Sequence, residues 1–294
     1  MPNSTTLFVG ITSWNSAAFL GHALTAWQRH TAVPMHLAVW DNSSSDASAT
    51  IAREAGAELL VRSCSQADAM NGLWRRATAK YVLLVHADVI VLSDRWFELC
   101  AAQLASRDAA LVSPEDVGCG PFTRPFGIGM PESSFLFIDR ERMATTEQWT
   151  WQGWRRLRLP RRALDLNGPH VTHRIPQRLA AAGLAWRPME VQPSDTLDVV
   201  RYGPYPGAQI WSEELGRLRY GLGNFYSLDS TVTHYHNWYD RLATAESEPA
   251  TRAPRRGFPA AFVRDYTAAF LADYAAGRLV VPSARLRDRE PVAL

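Results

Sequence analysis

Three short stretches of this 294-residue chain end apolar runs on groups that can do chemistry. Thr12-Ser13-Trp14-Asn15 offers hydroxyls and an amide, Asp41-Asn42 a carboxylate and an amide, and His86-Ala87-Asp88 an imidazole and a second carboxylate. Residues i and i+2 of an extended segment point the same way, so His86 and Asp88 face one side together. A carboxylate so placed can bind a hard divalent cation, and the imidazole beside it can donate to an anion or ligate a softer ion such as Mn²⁺. Asp68 and Asn71-Gly72 sit near the start of a helical stretch. His234 and His236, in STVTHYHNWYD, repeat the i, i+2 spacing and share one face of a strand-like run.

Regular elements are needed to bring these groups together. Strands are expected at Leu7–Thr12, His36–Trp40, Glu58–Arg62, Tyr81–His86 and Ala109–Ser113, with helices over 16–29, from the DNSSSD turn to Ala55, and over 66–77 and 94–106. Asp46 or a nearby Ser is the expected cap of the second helix. Strand and helix alternating at this spacing predict βαβ units, a mostly parallel sheet and helices on both faces. In such sheets ligands bind beyond the carboxyl ends of the strands, where the reactive stretches lie. No GxGxxG follows the first strand and no GxxxxGK[ST] occurs, so a dinucleotide fold and a P-loop are not supported.

Composition narrows the classes further. With 31 basic and 29 acidic residues and 47% hydrophobic residues, the chain is not of the disordered type. A net charge of +2 gives no general attraction to phosphate, so no nucleic-acid partner is expected. Lys80 is the single lysine, which leaves arginine, histidine or a metal to meet phosphate. Cys64, Cys100 and Cys119 form no CxxC pair and suggest neither a zinc knuckle nor a disulfide framework. The N-terminal MPNSTTLFVG has no basic n-region, and the longest apolar stretch, 81–92, is too short to span a bilayer. A cytoplasmic protein without a transmembrane segment is expected, peripheral membrane association being left open.

Beyond Ser113 the pattern loosens. A Gly- and Pro-rich segment precedes a strand at 133–138, and QWTWQGWRRLRLPRR concentrates Trp149, Trp151 and Trp154 among arginines. A helix over 173–182, a strand over 185–191, a linker over 246–259 and an amphipathic helix over 260–276 follow. The division expected is a first half over 1–113, a second half over 114–245, the linker, and a C-terminal helix and tail over 260–294.

FVGITSWN, LAVWDNSSSDAS and ADAMNGLWRRATAKYVLLVHADV, in that order and at those intervals, resemble the nucleotide-binding half of family 2 glycosyltransferases with the GT-A fold. The resemblance covers roughly residues 6–95 well and the remainder loosely, and implies a nucleotide-sugar-binding half over 1–113 and an acceptor-binding and catalytic half over 114–245. It implies that Thr12, Trp14, Asn15, Asp41, Asp68, Asn71, His86, Ala87 and Asp88 bind a UDP- or dTDP-sugar, with Asp41 accepting the imide hydrogen of uracil or thymine. The family's Asp-x-Asp metal motif is matched by His86-Ala87-Asp88, its first acid replaced, so metal binding is implied mainly for Asp88 with His86. A late histidine of the family is matched by His234, favoured for ending the TVT run, or by His236. The cation implied is Mn²⁺ or Mg²⁺. For the general base, the match to ALDLNGPHVTHRIPQRLAAAGLAWRP selects Asp165, with His170 and His173 as alternatives; the family's Glu-Asp pair is not intact, since Leu164 precedes Asp165.

The expected activity is thus inverting, metal-assisted transfer of a hexose-type sugar to an acceptor hydroxyl, in carbohydrate or natural-product biosynthesis. The acceptor, a small molecule or a glycan, is open, as is the oligomeric state, a homodimer included. Two alternatives stand beside it: a catalytically impaired nucleotide-sugar-binding protein, and a nucleotidyltransferase on a related sheet.

Overall fold

The computed structural model describes residues 5–115, 130–144, 171–172, 174–193, 223–237 and 260–279. The strands are β1 Leu7–Ser13, β2 Met35–Asp41, β3 Glu58–Val61, β4 Tyr81–His86, β5 Val89–Val91, β6 Ala109–Pro114, β7 Phe135–Asp139, β8 Ala185–Pro193, β9 Gly223–Leu228 and β10 Thr231–Asn237. The helices are α1 Ala17–His30, α2 Ser48–Glu54, α3 Gln66–Arg76, α4 Trp96–Gln103, α5 Arg140–Ala144, α6 Ile175–Ala181 and α7 Ala260–Ala275. The α/β GT-A-type architecture expected from the sequence is present: one curled sheet in the order β3-β2-β1-β4-β7-β6-β8-β9-β10-β5, flanked by helices.

The first half follows from alternation. Along β1, Leu7, Val9 and Ile11 face one side, which is covered by α1, α4 and Phe270 of α7. Phe8 faces the other, with α3 and α6. Both faces are buried, as a parallel strand under crossover helices requires. In α1 the stripe Phe19, Leu20, Ala23, Leu24, Trp27 recurs at helical spacing, and Trp27 packs edge-on against Trp96 at 5.1 Å. Burial of Phe270, stacked on Tyr235 at 4.1 Å, contributes about 1.5–3 kcal/mol and helps hold α7 in place.

The second half adds to the sequence reading. The strand expected over Tyr81–His86 is β4; after a turn at Ala87-Asp88 the chain enters β5, which was not expected and leaves β4 to pair with β10. β9 and α5 were not expected; β9 and β10 form a hairpin whose two-residue turn, Asp229-Ser230, has both φ angles positive, matching the twist of the flanking strands. α4 is shorter than 94–106, and α6 begins at Ile175, with Pro176 in its first turn, rather than at 173. α2 is not capped by its own N-cap residue, Ala47. Instead Asp46 reaches past it: Oδ1 accepts from the Ser48 N–H at 2.9 Å, while Oδ2 accepts from the Ala17 N–H of α1 at 3.0 Å. One carboxylate thus serves two helix starts. The expected linker, 246–259, the Trp149–Trp154 stretch and Cys119 lie outside the described residues.

Candidate functional site

Register brings the predicted strand ends together. Ser13 pairs with Asp41 and Thr12 with His86, so Thr12, Asp41 and His86 border one edge of the sheet. Asn15 and Ser43 take left-handed backbone conformations (φ 51° and 57°), bending the chain away after β1 and β2. Asp41 is buried, and Ser44 satisfies it twice: its N–H donates to Oδ2 at 2.9 Å and its Oγ to Oδ1 at 2.5 Å. The Asn15 N–H donates to the same Ser44 Oγ at 2.8 Å, and the Asn15 side-chain oxygen accepts from the Ser45 N–H at 2.8 Å. Trp14 stands out beside this knot as one of two exposed large apolar side chains among the described residues.

Asp68 lies in the first turn of α3, where it shares a reciprocal contact with the N-cap Ser65: the Asp68 N–H donates to Ser65 Oγ at 3.2 Å, which donates to Asp68 Oδ2 at 2.6 Å. Asn71 and Gly72 sit on the buried side of the same helix. Gly72 has a packing reason: a Cβ there would fall 2.1 Å from Cζ3 of Trp40, the residue before Asp41.

His86, Asp88 and His236 converge. One ligand atom from each lies within 4.8 Å of the others, and the rings of His86 and His236 meet edge-on at 5.7 Å. The β5–β10 ladder arranges this, pairing His236 with Val89 and the Asn237 N–H with the Asp88 carbonyl at 3.1 Å. The Ala87 N–H donates to the Thr12 carbonyl at 3.1 Å and fixes the turn to β1. His236 Nε2 lies 3.5 Å from Asp88 Oδ1, an ion pair too long for a good hydrogen bond. Asp88 Oδ1 is therefore buried without a hydrogen-bond partner. A buried carboxylate oxygen of that kind, beside two imidazoles, is a donor set that fits a divalent cation of the Mn²⁺ type.

Glu132, which sequence reasoning missed, completes the cluster from the loop before β7. Its Oε1 lies 2.9 Å from His236 Nδ1 and accepts from Ser134 Oγ at 2.6 Å, and its Oε2 accepts from the Tyr226 hydroxyl at 2.6 Å. Burial alone raises a carboxyl pKa, but the charge of His236 and these three donors bring Glu132 down to about 2. Asp88 is held below its usual range the same way, burial being outweighed by His236 and His86. Burial would lower His236, yet the two carboxylates raise it to about 10. The only local signal for Glu132 was an acid standing directly ahead of the apolar strand SSFLFI.

His234 is placed elsewhere. Thr233 is an extra residue in β10, a bulge, and beyond it His234 is wholly buried between Phe135 (4.2 Å, 9° between planes) and Tyr226 (4.8 Å, 24°). The geometry reverses the sequence preference: His236 stands beside Asp88, and His234 is outside the cluster. Asp165, His170 and His173 lie outside the described residues.

Burial, then the charge of His236, lowers the His234 pKa from 6.5 to about 3. Its neutral form stabilises the fold fully above pH 6.5, and this contribution is lost as pH falls toward 3. Glu132 acts in the same sense lower down, from 4.5 toward 2. His236 acts oppositely, stabilising fully below 6.5 and losing that contribution as pH rises through about 10. Near pH 6.5 these contributions are present together. His234→Phe, which can keep the stack, is expected to flatten the fall in melting temperature between pH 6.5 and 4.5; thermal denaturation across that range measures it, and an unchanged acid limb counts against the assignment.

Among the described residues, no helix is long and apolar enough to cross a membrane. No curated protein matches the chain. Solved structures do. Glucosyl-3-phosphoglycerate synthase of Mycobacterium tuberculosis with Mg²⁺ and UDP is 15% identical over 47% of this chain and 57% of its own, with a TM-score of 0.37. A mannosyltransferase of Pyrobaculum calidifontis with GDP-Man and Mn²⁺ is 15% identical over 94% of this chain and 77% of its own, with a TM-score of 0.45. S. aureus TarS 1-349 is 16% identical over 47% of this chain and 48% of its own, with a TM-score of 0.36. This chain thus spans little more than half the length of the synthase. The profile of glycosyl transferase family 2 matches residues 8–169, more than half of the 294 residues, and the chain belongs to that family, the glycosyltransferases with the GT-A fold.

Proposed function

We propose that this glycosyltransferase takes its sugar from a UDP- or dTDP-linked donor and transfers it with inversion to an acceptor hydroxyl. The observation that carries the reading is the convergence of His86, Asp88 and His236 beyond the same strand ends that present Thr12 and Asp41. Asp41 would receive the base, with Trp14 and Asn15 beside it and Asp68, Asn71 and the Ala87 backbone along the nucleotide. His86, Asp88 and His236 would hold a divalent cation, which when bound offsets charge on the departing diphosphate. His234 supports the cluster from the core rather than as a ligand. Asp165, or else His170 or His173, would take the proton of the acceptor hydroxyl as its oxygen bonds to the anomeric carbon and the bond to the diphosphate breaks. Residues 1–113 would form the donor half and 114–245 the acceptor half. The free, buried thiol of Cys100 agrees with a reducing cytoplasm.

A thermal-shift panel of UDP, dTDP, GDP and ADP, each with and without Mn²⁺, tests this. A ligand at 100 times its Kd adds about 2.7 kcal/mol to the folded state. UDP or dTDP is expected to raise the melting temperature, and more so with Mn²⁺. A shift with GDP alone overturns the base assignment; a UDP shift indifferent to Mn²⁺ overturns the cation; no shift with any diphosphate overturns the donor reading.

A further inference from the structure

We propose that Glu132 is a positioning residue that sets which nitrogen of His236 faces the cation. The inference rests on the proposed cation site and goes one layer behind it. Both oxygens of Glu132 are already engaged, by His236 Nδ1 at 2.9 Å and Ser134 Oγ on one side and by the Tyr226 hydroxyl on the other. The residue is also buried, 5% exposed, and three protein groups already occupy its two oxygens, so its role is read from those groups. What it can do is hold a ring. A carboxylate 2.9 Å from Nδ1, an ion-pair contact rather than an aligned hydrogen bond, favours the proton on that nitrogen and leaves Nε2, the atom facing Asp88, as the ligating one.

The packing makes this orientation hard to lose. Tyr226 donates to Glu132 while its ring stacks on His234, and His234 stacks in turn on Phe135 at the start of β7. Glu132 is therefore fixed by groups from β7 and β9 while it meets a side chain of β10. The charges also match: Asp88 and Glu132 flank one imidazole, so the ring is bracketed by two carboxylates, one per nitrogen. Replacing the inner carboxylate by an amide of the same shape would keep the volume and remove the charge that holds the Nδ1 proton.

The test is Mn²⁺ binding to the full chain, followed by the loss of the free-ion electron paramagnetic resonance signal. Glu132→Gln is expected to weaken Mn²⁺ about 10–100-fold, the usual effect of losing a partner behind a metal-bound histidine. His236→Ala is expected to weaken it at least as much, and the double variant no more than His236→Ala alone. Affinity of Glu132→Gln within about twofold of wild type, or losses that multiply in the double variant, overturns the proposal. A second measurement does not need the variant to fold: ¹⁵N NMR of the histidine-labelled wild-type chain with Mg²⁺. His236 is expected to keep its proton on Nδ1; a bare Nδ1 overturns the proposal. Should the wild type bind no Mn²⁺, the cation reading fails by itself; a nitrogen spectrum taken above about pH 10, where His236 carries a single proton, then decides whether Nδ1 keeps it, and a bare Nδ1 there overturns the part given to Glu132.

Discussion

Asp88→Asn is expected to lower sugar transfer by on the order of 10²–10³-fold, the scale set by losing a preorganised electrostatic group at the reacting centre, and to leave the fold intact. The two halves of this expectation come from different atoms. Asp88 Oδ1 is buried, faces His236 at 3.5 Å and has no hydrogen-bond donor of its own, so its charge is available to a cation rather than committed to the fold. An amide keeps the shape but not the charge. The fold keeps its anchors: the Asp88 carbonyl still accepts from the Asn237 N–H, and Glu132 still neutralises His236. Circular dichroism and a melting curve check the second half. Donor hydrolysis, which needs no known acceptor, checks the first. A variant that folds and turns over at the wild-type rate removes Asp88 from the chemistry.

Gly72→Ala should damage the protein in a way its exchange of one hydrogen for a methyl does not suggest. In an open helix the change would stabilise by about 1 kcal/mol. Here the new Cβ would lie 2.1 Å from one Trp40 ring carbon and 2.7 Å from the next, and that ring is tethered by its Nε1–H donating to the Arg62 carbonyl at 3.2 Å. Either α3 backs away from the sheet or the indole turns. Overpacking typically costs about 1–3 kcal/mol, and so short a contact belongs at the upper end. A net loss of about 1–2 kcal/mol, with a melting temperature several degrees lower, is expected. Trp40 leads into Asp41, so nucleoside diphosphate binding measured by calorimetry should weaken as well. A variant melting at or above the wild type would show that the helix accommodates the methyl.

The same two sites show where sequence was sufficient. Strands β1 to β4 were legible because each is a continuous apolar run between turn-formers, and because three of them end on polar residues that register then brings side by side. The Asn71-Gly72 step was legible only as a pattern; the indole that makes glycine necessary lies 32 positions earlier. β5 was not legible because it is only three residues long, directly behind the strand expected at Tyr81–His86, and β9 because the apolar side chains of GNFYSL are mixed with polar ones. The preference between His234 and His236 could not be made locally: a bulge at Thr233 and a stack on Phe135 decide it. Glu132 was invisible for the same reason, since its partners Tyr226 and His236 are about a hundred residues away. Asp68 was legible as a first-turn acid, and its exchange with Ser65 is that reading made explicit.

The cluster joins residues 86 and 88 to residue 236 through the short β5–β10 ladder. Contacts between chain segments so far apart form late, because the intervening loop must close before they reward the chain. The strands that carry Thr12, Asp41 and His86 close shorter loops, at most 74 residues between paired positions of β1, β2 and β4. A ribosome-bound chain that has not yet extruded the β9–β10 hairpin can therefore have β1, β2 and β4 in place without His236. If the proposed cation site is right, catalytic competence reports the arrival of β10, the last strand among the described residues.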